Sequence, residues 1–256
     1  MPATDNSSTH DFWDGLAEFG PAQSSAALEY ALATLARLAG AQQAYWMGTV
    51  RLSHGADILD GWRPAVIRYL HPREALETNF QAHCRLIEQG RIDPSIVANM
   101  RGAGRYRTNL HHELVEPEWY ESDFHRVYFV PYGLRDTLYM AMPLGEDIEC
   151  WFGLQRIGPQ QPFFSQADKK SLDHAGRSLK WFHRRLALHY GLRITTKPLA
   201  PTERRVLEHL LGGDTETGIG TALGLTTATV HTYATRIYRK FNVQGRNGLT
   251  ALWLGR

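Results

Sequence analysis

Apolar residues recur at helical spacing between Ser25 and Ala39, where Leu28, Leu32, Leu35 and Ala39 share a face and Gly40 supplies a stop. This pattern predicts an amphipathic helix. Gln43 to Val50 is rich in aromatic and β-branched residues and reads as a strand. Asp60-Gly61 signals a turn, and Trp62 to Leu70 stays open in type because Pro64 interrupts it. Residues 73 to 89 read as a helix on Leu76, Phe80, Cys84 and Ile87, and Pro117 to Tyr128 as another with proline in its first turn. The texture changes at Gly133. Leu134 to Met142 and Ile148 to Ile157 are short apolar runs joined by Pro143-Leu144-Gly145-Glu146-Asp147, as in an antiparallel pair. Ser165 and Asp168 form a capping box, and a long helix is expected from there to about Tyr190, with Leu172, Leu179 and Leu186 repeating at seven. Gly191 closes it, and residues 193–198 have linker character, which divides the chain into domains 1–192 and 199–256.

Beyond Pro198 the pattern is purely helical: Pro201 to Leu211, a short helix from Glu216 to Leu223, and a longer one opened by Thr226 after Gly224-Leu225. A glycine-containing turn between a short and a longer helix is the geometry of a helix-turn-helix, whose second helix enters the major groove of DNA. At 100° per residue Val230, Ala234, Ile237 and Phe241 fall in one narrow arc, flanked by Tyr233 and Tyr238. Opposite lie Ala228, Thr232, Thr235, Arg236 and Arg239, with His231 on the shoulder. This exposed face begins small and polar and ends basic, which suits base edges first and phosphates second.

These residues carry a resemblance. Pro198-Leu199-Ala200-Pro201-Thr202-Glu203-Arg204-Arg205-Val206-Leu207, then Gly213, Ile219, Leu223-Gly224-Leu225, Thr229-Val230, Ile237-Tyr238-Arg239-Lys240-Phe241-Asn242-Val243 and Arg246 resemble the LuxR/GerE-type helix-turn-helix over about the last sixty residues. The resemblance implies a four-helix DNA-binding domain. Within it, His231, Thr232 and Thr235 correspond to base-reading positions, and Thr226, Thr227, Arg236, Arg239 and Lys240 are expected near phosphates, with Ala228 and Thr229 on the same surface. It also implies a homodimer paired through a final helix, capped by Asn247, that carries Leu249, Leu252 and Trp253. Three departures matter. Ala200 replaces a capping threonine at a cost of about 1 kcal/mol. Gly218 and Gly220 replace glutamate and alanine, each weakening the short helix by up to ~1 kcal/mol. His231 stands where the family often has lysine.

Charge supports the division. Residues 196–256 hold eight Lys/Arg against four acids, whereas the rest holds 20 against 22, so the tail is the basic part and suits a polyanion. The 256 residues are 43% hydrophobic, enough for packed cores, and two cysteines, Cys84 and Cys150, are too few for a disulfide framework. No window approaches the ~18 apolar residues of a membrane span. The expectation is a cytoplasmic protein with no membrane partner.

Regulators of this class place a sensing module before the DNA-binding tail. Residues 1–60 lack the early acidic strand end and the βα alternation of a phosphate receiver. An acyl-homoserine-lactone receptor is disfavoured because Asp93-Pro94 has no tryptophan at the expected distance, the next being Trp119. What remains resembles the PAS and GAF modules: a helix–strand opening, paired strands at 134 to 157, and Phe164-Ser165 leading into a closing helix. The expected fold class is thus α+β, an antiparallel sheet with flanking helices followed by an all-α domain. Six of seven tryptophans lie in the first domain, where core packing competes with lining a pocket. Trp119, Tyr120, Tyr128, Asp136, Tyr139 and Trp151 are the lining candidates for a small-molecule effector, in a pocket between the sheet and residues 117–128. His111-His112-Glu113 lacks metal spacing and reads as an exposed loop. No metal, cofactor or catalytic constellation is expected, and no nucleophile elbow or phosphate-cradling loop is present. The sequence therefore predicts a DNA-binding transcriptional regulator, with RNA polymerase as a further partner. The alternative is a ligand-binding or metabolic protein with a vestigial helical tail.

Overall fold

The computed structural model describes residues 6–55, 57–192 and 199–254. The expected linker 193–198 lies outside them. Helices α1 (Asn6–Ala17) and α2 (Ser24–Ala39) precede strands β1 (Gln43–Arg51) and β2 (Trp62–Tyr69). Then come α3 (Glu74–Glu88), α4 (Pro94–Met100), β3 (Arg107–Leu110), α5 (Asp123–Tyr128), β4 (Leu134–Pro143) and β5 (Ile148–Ile157). The remainder is helical: α6 (Gln166–Arg177), α7 (Lys180–His189), α8 (Pro201–Gly212), α9 (Glu216–Leu223), α10 (Thr227–Lys240) and α11 (Arg246–Trp253). The fold is α+β. Packing divides it into two compact units, residues 29–180 and residues 6–28 together with those from 181 onward.

The first unit is built on an antiparallel sheet of order β2-β1-β5-β4-β3. Register separates its faces. Trp46, Phe152, Met140 and Thr108 are cross-strand neighbours on one face, where α6 docks: the Tyr106 hydroxyl donates to Asp173 O (2.9 Å) and the Thr108 hydroxyl to Asp173 Oδ1 (2.8 Å). Tyr69, Tyr45, Gly153 and Tyr139 align across the other face. There a Cβ on Gly153 would sit 2.1 Å from the Tyr45 ring, so only glycine lets that ring lie across β5. Pro64 resolves the open segment in favour of a strand, because β2 is an edge strand and a register shift opposite, between Gly48 and Thr49, absorbs the missing donor.

Several expectations need correction. The single long helix after Ser165 is two helices. The capping box at Ser165 and Asp168 forms, but the chain tightens at Ser178, where Leu179 N–H donates to Gly176 O (3.0 Å) and buries the Leu179 side chain completely. The segment expected as one helix from Pro117 is a 3₁₀ turn at Pro117–Glu121 followed by α5, capped by the Ser122 hydroxyl. His111 is not in an exposed loop. It is 1% exposed and packs edge-on against Trp119, with ring centroids 4.6 Å apart.

In the second unit, Val206, Leu207, Leu210, Ile219, Val230, Ala234, Ile237, Phe241 and Leu249 form one core, each large aliphatic chain contributing about 1.5–3 kcal/mol of burial. The predicted stripe of α10 is its centre. The missing hydroxyl at Ala200 is offset by Glu203, whose carboxylate accepts from Ala200 N–H at 2.7 Å. Gly220 is required rather than a weakness: a Cβ there would meet Leu225 O at 2.7 Å, at the turn between α9 and α10. The final helix begins after Gly245, so Asn247 is inside it and does not cap it.

Candidate DNA-reading helix and candidate ligand cavity

Thr226 caps α10, its hydroxyl accepting from Thr229 N–H at 3.1 Å and lying 2.8 Å from the Thr229 hydroxyl. Thr226, Thr227, Ala228, His231, Thr232, Thr235, Arg236 and Arg239 are exposed, and Thr229 is half-buried. Helical winding thus brings the predicted reading residues onto one open surface, since the opposite arc is consumed by the core. Lys240 differs from the expectation. Its Nζ lies 2.6 Å from Glu203 Oε2, and Glu203 is only 2% exposed, so Lys240 neutralises a buried carboxylate at the α8 start instead of standing free for phosphate. Glu203 and Glu216 were absent from the expected site, although both sit at helix starts, where acids favour the dipole.

The expected pairing residues are largely used within the chain. Leu249 is fully buried in the core, and Leu252 and Trp253 are partly buried against the same core. The Arg185 guanidinium covers the Trp253 ring at 3.8 Å within the same unit.

In the first unit a cavity of about 200 Å³ opens between the Tyr45 face of the sheet and helices α3, α4 and α5. Tyr45, Met47, Ile67, Tyr69, Tyr139 and Trp151 form its sheet wall, while Phe80, His83, Ile96, Phe124 and Tyr128 close it from the helices. Of the six expected lining residues, Tyr128, Tyr139 and Trp151 face it and Trp119, Tyr120 and Asp136 do not. Asp136 is instead a buried anchor, accepting from Phe164 N–H (2.8 Å) and paired with His112 Nδ1 (3.0 Å). Tyr120 packs on Phe163 and His125, and burial pushes its phenol up to about 12. Trp119 acts from behind the wall: its indole N–H donates at 2.7 Å to Oδ2 of Asp93, which does line the cavity.

Asp93 is the buried acceptor that the sequence reading missed. It caps α4, accepting from Ser95 N–H at 2.8 Å and from the Ser95 hydroxyl. The Asp-Pro pair, cap followed by proline at the first helical position, was the signal available for it. Burial lowers the pKa of His83, which holds Asn79 O at 2.8 Å through Nδ1, and raises the Tyr139 phenol, so both are uncharged at neutral pH. The cation lining the cavity, Arg63, is already paired with Asp57 and with Glu88 (2.9 Å). The indole N–H of Trp62, also lining it, has no acceptor among the described residues. No group of three metal-ligating side chains gathers among the described residues, and no described helix is long and apolar enough to cross a membrane.

A short helix, a tight turn and a longer helix with an open polar face define a helix-turn-helix DNA-binding unit. Residues 197–252 match the family model described as GerE, bacterial regulatory proteins, luxR family, so the C-terminal part of this chain is a luxR-family DNA-binding domain. That match favours the regulator over a vestigial tail. Among solved structures, the chain is similar to Escherichia coli SdiA (14% identity over 96% of each chain, TM-score 0.46). It is also similar to CepR2 of Burkholderia cenocepacia, an N-acylhomoserine lactone dependent LuxR-family factor (21% identity over 72% of this chain and 99% of that one, TM-score 0.43). A third is the LBD domain of VqsR from Pseudomonas aeruginosa (15% identity, 67% and 88%, TM-score 0.43). Comparison with curated proteins finds no match.

Proposed function

We propose that this protein is a transcriptional regulator that reads DNA through α10 and is controlled by a neutral, largely apolar small molecule held in the cavity of the first unit. The observation that carries the first half is the exposed face of α10, small and hydroxyl-bearing at its start and ending in Arg236 and Arg239. The second half rests on the cavity. Its wall is mostly aromatic and aliphatic, its carboxylate Asp93 would repel an anion, and Arg63 has its charge already neutralised. Asp93 offers an acceptor and Trp62 a donor, which suits an amide-like or hydroxyl-bearing head on an apolar body.

Regulation then requires that the ligand bind one arrangement of the chain better than another, with 5- to 150-fold effects on DNA affinity as the usual range. Two copies acting on paired half-sites is the arrangement we favour. Their contact is proposed to use exposed helical surfaces, and the segment 193–198 is proposed as the connector.

The test uses octanamide and octanoate on the full chain. The amide is expected to raise the melting temperature and to change affinity for a duplex pool, the carboxylate to do neither. Ile96→Trp, which fills the cavity, should abolish the amide effect while leaving salt-dependent DNA binding in place. Equal stabilisation by the carboxylate would overturn the ligand class.

A further inference from the structure

The N-terminal half of the α10 reading face consists of hydroxyl-bearing or small side chains, with one exception. His231 is 70% exposed in its side chain, and its Nδ1 lies 3.2 Å from both carboxylate oxygens of Glu216, the first residue of α9. An ionised carboxylate only accepts, so this contact requires a proton on Nδ1, and in the neutral imidazole that is the ring's single proton. The imidazole nitrogen left for an outside partner is then Nε2. Ala228 and Thr235, one turn away on either side, and the adjacent Thr232 are exposed and short, and Thr232 spends its hydroxyl proton on Ala228 O at 3.0 Å.

We infer that Glu216 is a positioning residue for base reading: by holding the single proton of the neutral His231 imidazole on Nδ1, it presents Nε2 to the major groove as a hydrogen-bond acceptor. The inference rests on the proposed DNA-reading role of α10. In the major groove the donors are the exocyclic amino groups, N4 of cytosine and N6 of adenine, whereas guanine offers only N7 and O6 acceptors and thymine an acceptor and a methyl. The base read by His231 is therefore cytosine or adenine. A lysine at the same place would act as a donor and select guanine. Glu216 has a second effect of opposite sign, because a carboxylate beside the phosphates lowers affinity for every sequence alike.

The experiment is selection of the full chain on a randomised duplex pool, followed by competition titrations. The base position in question is the one whose preference disappears in His231→Ala. Wild type is expected to favour cytosine or adenine there over guanine by about fivefold. Glu216→Ala should lose that preference at that position only and bind all duplexes about two- to tenfold more tightly. Glu216→Gln removes the charge and keeps an acceptor oxygen, so its affinity should rise while the preference persists, an outcome that loosening of α9 would not give. His231→Lys should move the preference to guanine. Wild-type selection of guanine, or an unchanged preference in Glu216→Ala, overturns this inference alone. Failure of the full chain to bind any duplex overturns the DNA-reading role and this inference with it.

Discussion

The two units handle their functional groups in opposite ways. In the helix-turn-helix, the residues that would meet DNA make little of the fold: Thr232, Thr235, Arg236 and Arg239 point away from the core that Val230, Ala234 and Ile237 build. In the sheet unit the same atoms do both tasks, since Asp93 lines the cavity, caps α4 and holds Trp119. The lesson is that, apart from the Thr226 cap and the Lys240–Glu203 pair, the groove-facing surface can be changed without touching stability, whereas the cavity cannot be re-tailored without re-solving the packing around it.

The sharpest break of that comparison would come from Asp93→Ala. It strands the Trp119 and Ser95 donors and removes a cap, and is expected to cost about 3 kcal/mol in urea unfolding. A loss below about 1 kcal/mol would show that the cavity wall is not held by this carboxylate. Next comes acid. His111 in the first unit and His183 in the second are both driven by burial from 6.5 to about 3. Each is neutral when folded and takes a proton when unfolded below about 6.5, so the unfolded chain binds more protons and stability falls as pH drops through the window between those values. From pH 7 to 5 each should remove about 2 kcal/mol. His111→Gln and His183→Gln should each flatten the pH dependence, and wild-type slopes in both variants would contradict the burial argument. The smallest effects belong to the reading face. Arg239→Ala should weaken all duplexes about tenfold and lower the salt slope by about one, while Thr232→Ala re-ranks sites by about 1 kcal/mol. Both should leave unfolding within about 0.5 kcal/mol of wild type, and a larger shift would erase the contrast between the units.

The same contrast explains what the sequence made legible. Periodicity of 3.6 separated Val230, Ala234, Ile237 and Phe241 from the reading face, because solvent and core impose opposite polarity on a surface helix. Strands β4 and β5 were legible for the same reason, with turn residues between two apolar runs. The cavity lining was half legible. Tyr139 and Trp151 face empty space and Trp119 faces neighbours, yet all three are aromatic and at least half-buried, and composition cannot tell a wall from a filling. Helix α4 and strand β3 are short and were passed over, the first despite its Asp-Pro start. The role of Lys240 was hidden because its partner lies 37 residues away in sequence.

The edges of the sheet bear on how copies of this chain could meet. An exposed strand edge invites another strand, and proteins that avoid this use prolines or very short edge strands. Here β2 carries Pro64 at one margin, and β3, only four residues long, closes the other. Neither margin offers a long, unbroken row of backbone donors and acceptors for a neighbour. Self-association by continuing the sheet from chain to chain, whether orderly or as aggregation, is disfavoured at the level of the backbone, and encounters between copies are left to side chains on helical surfaces.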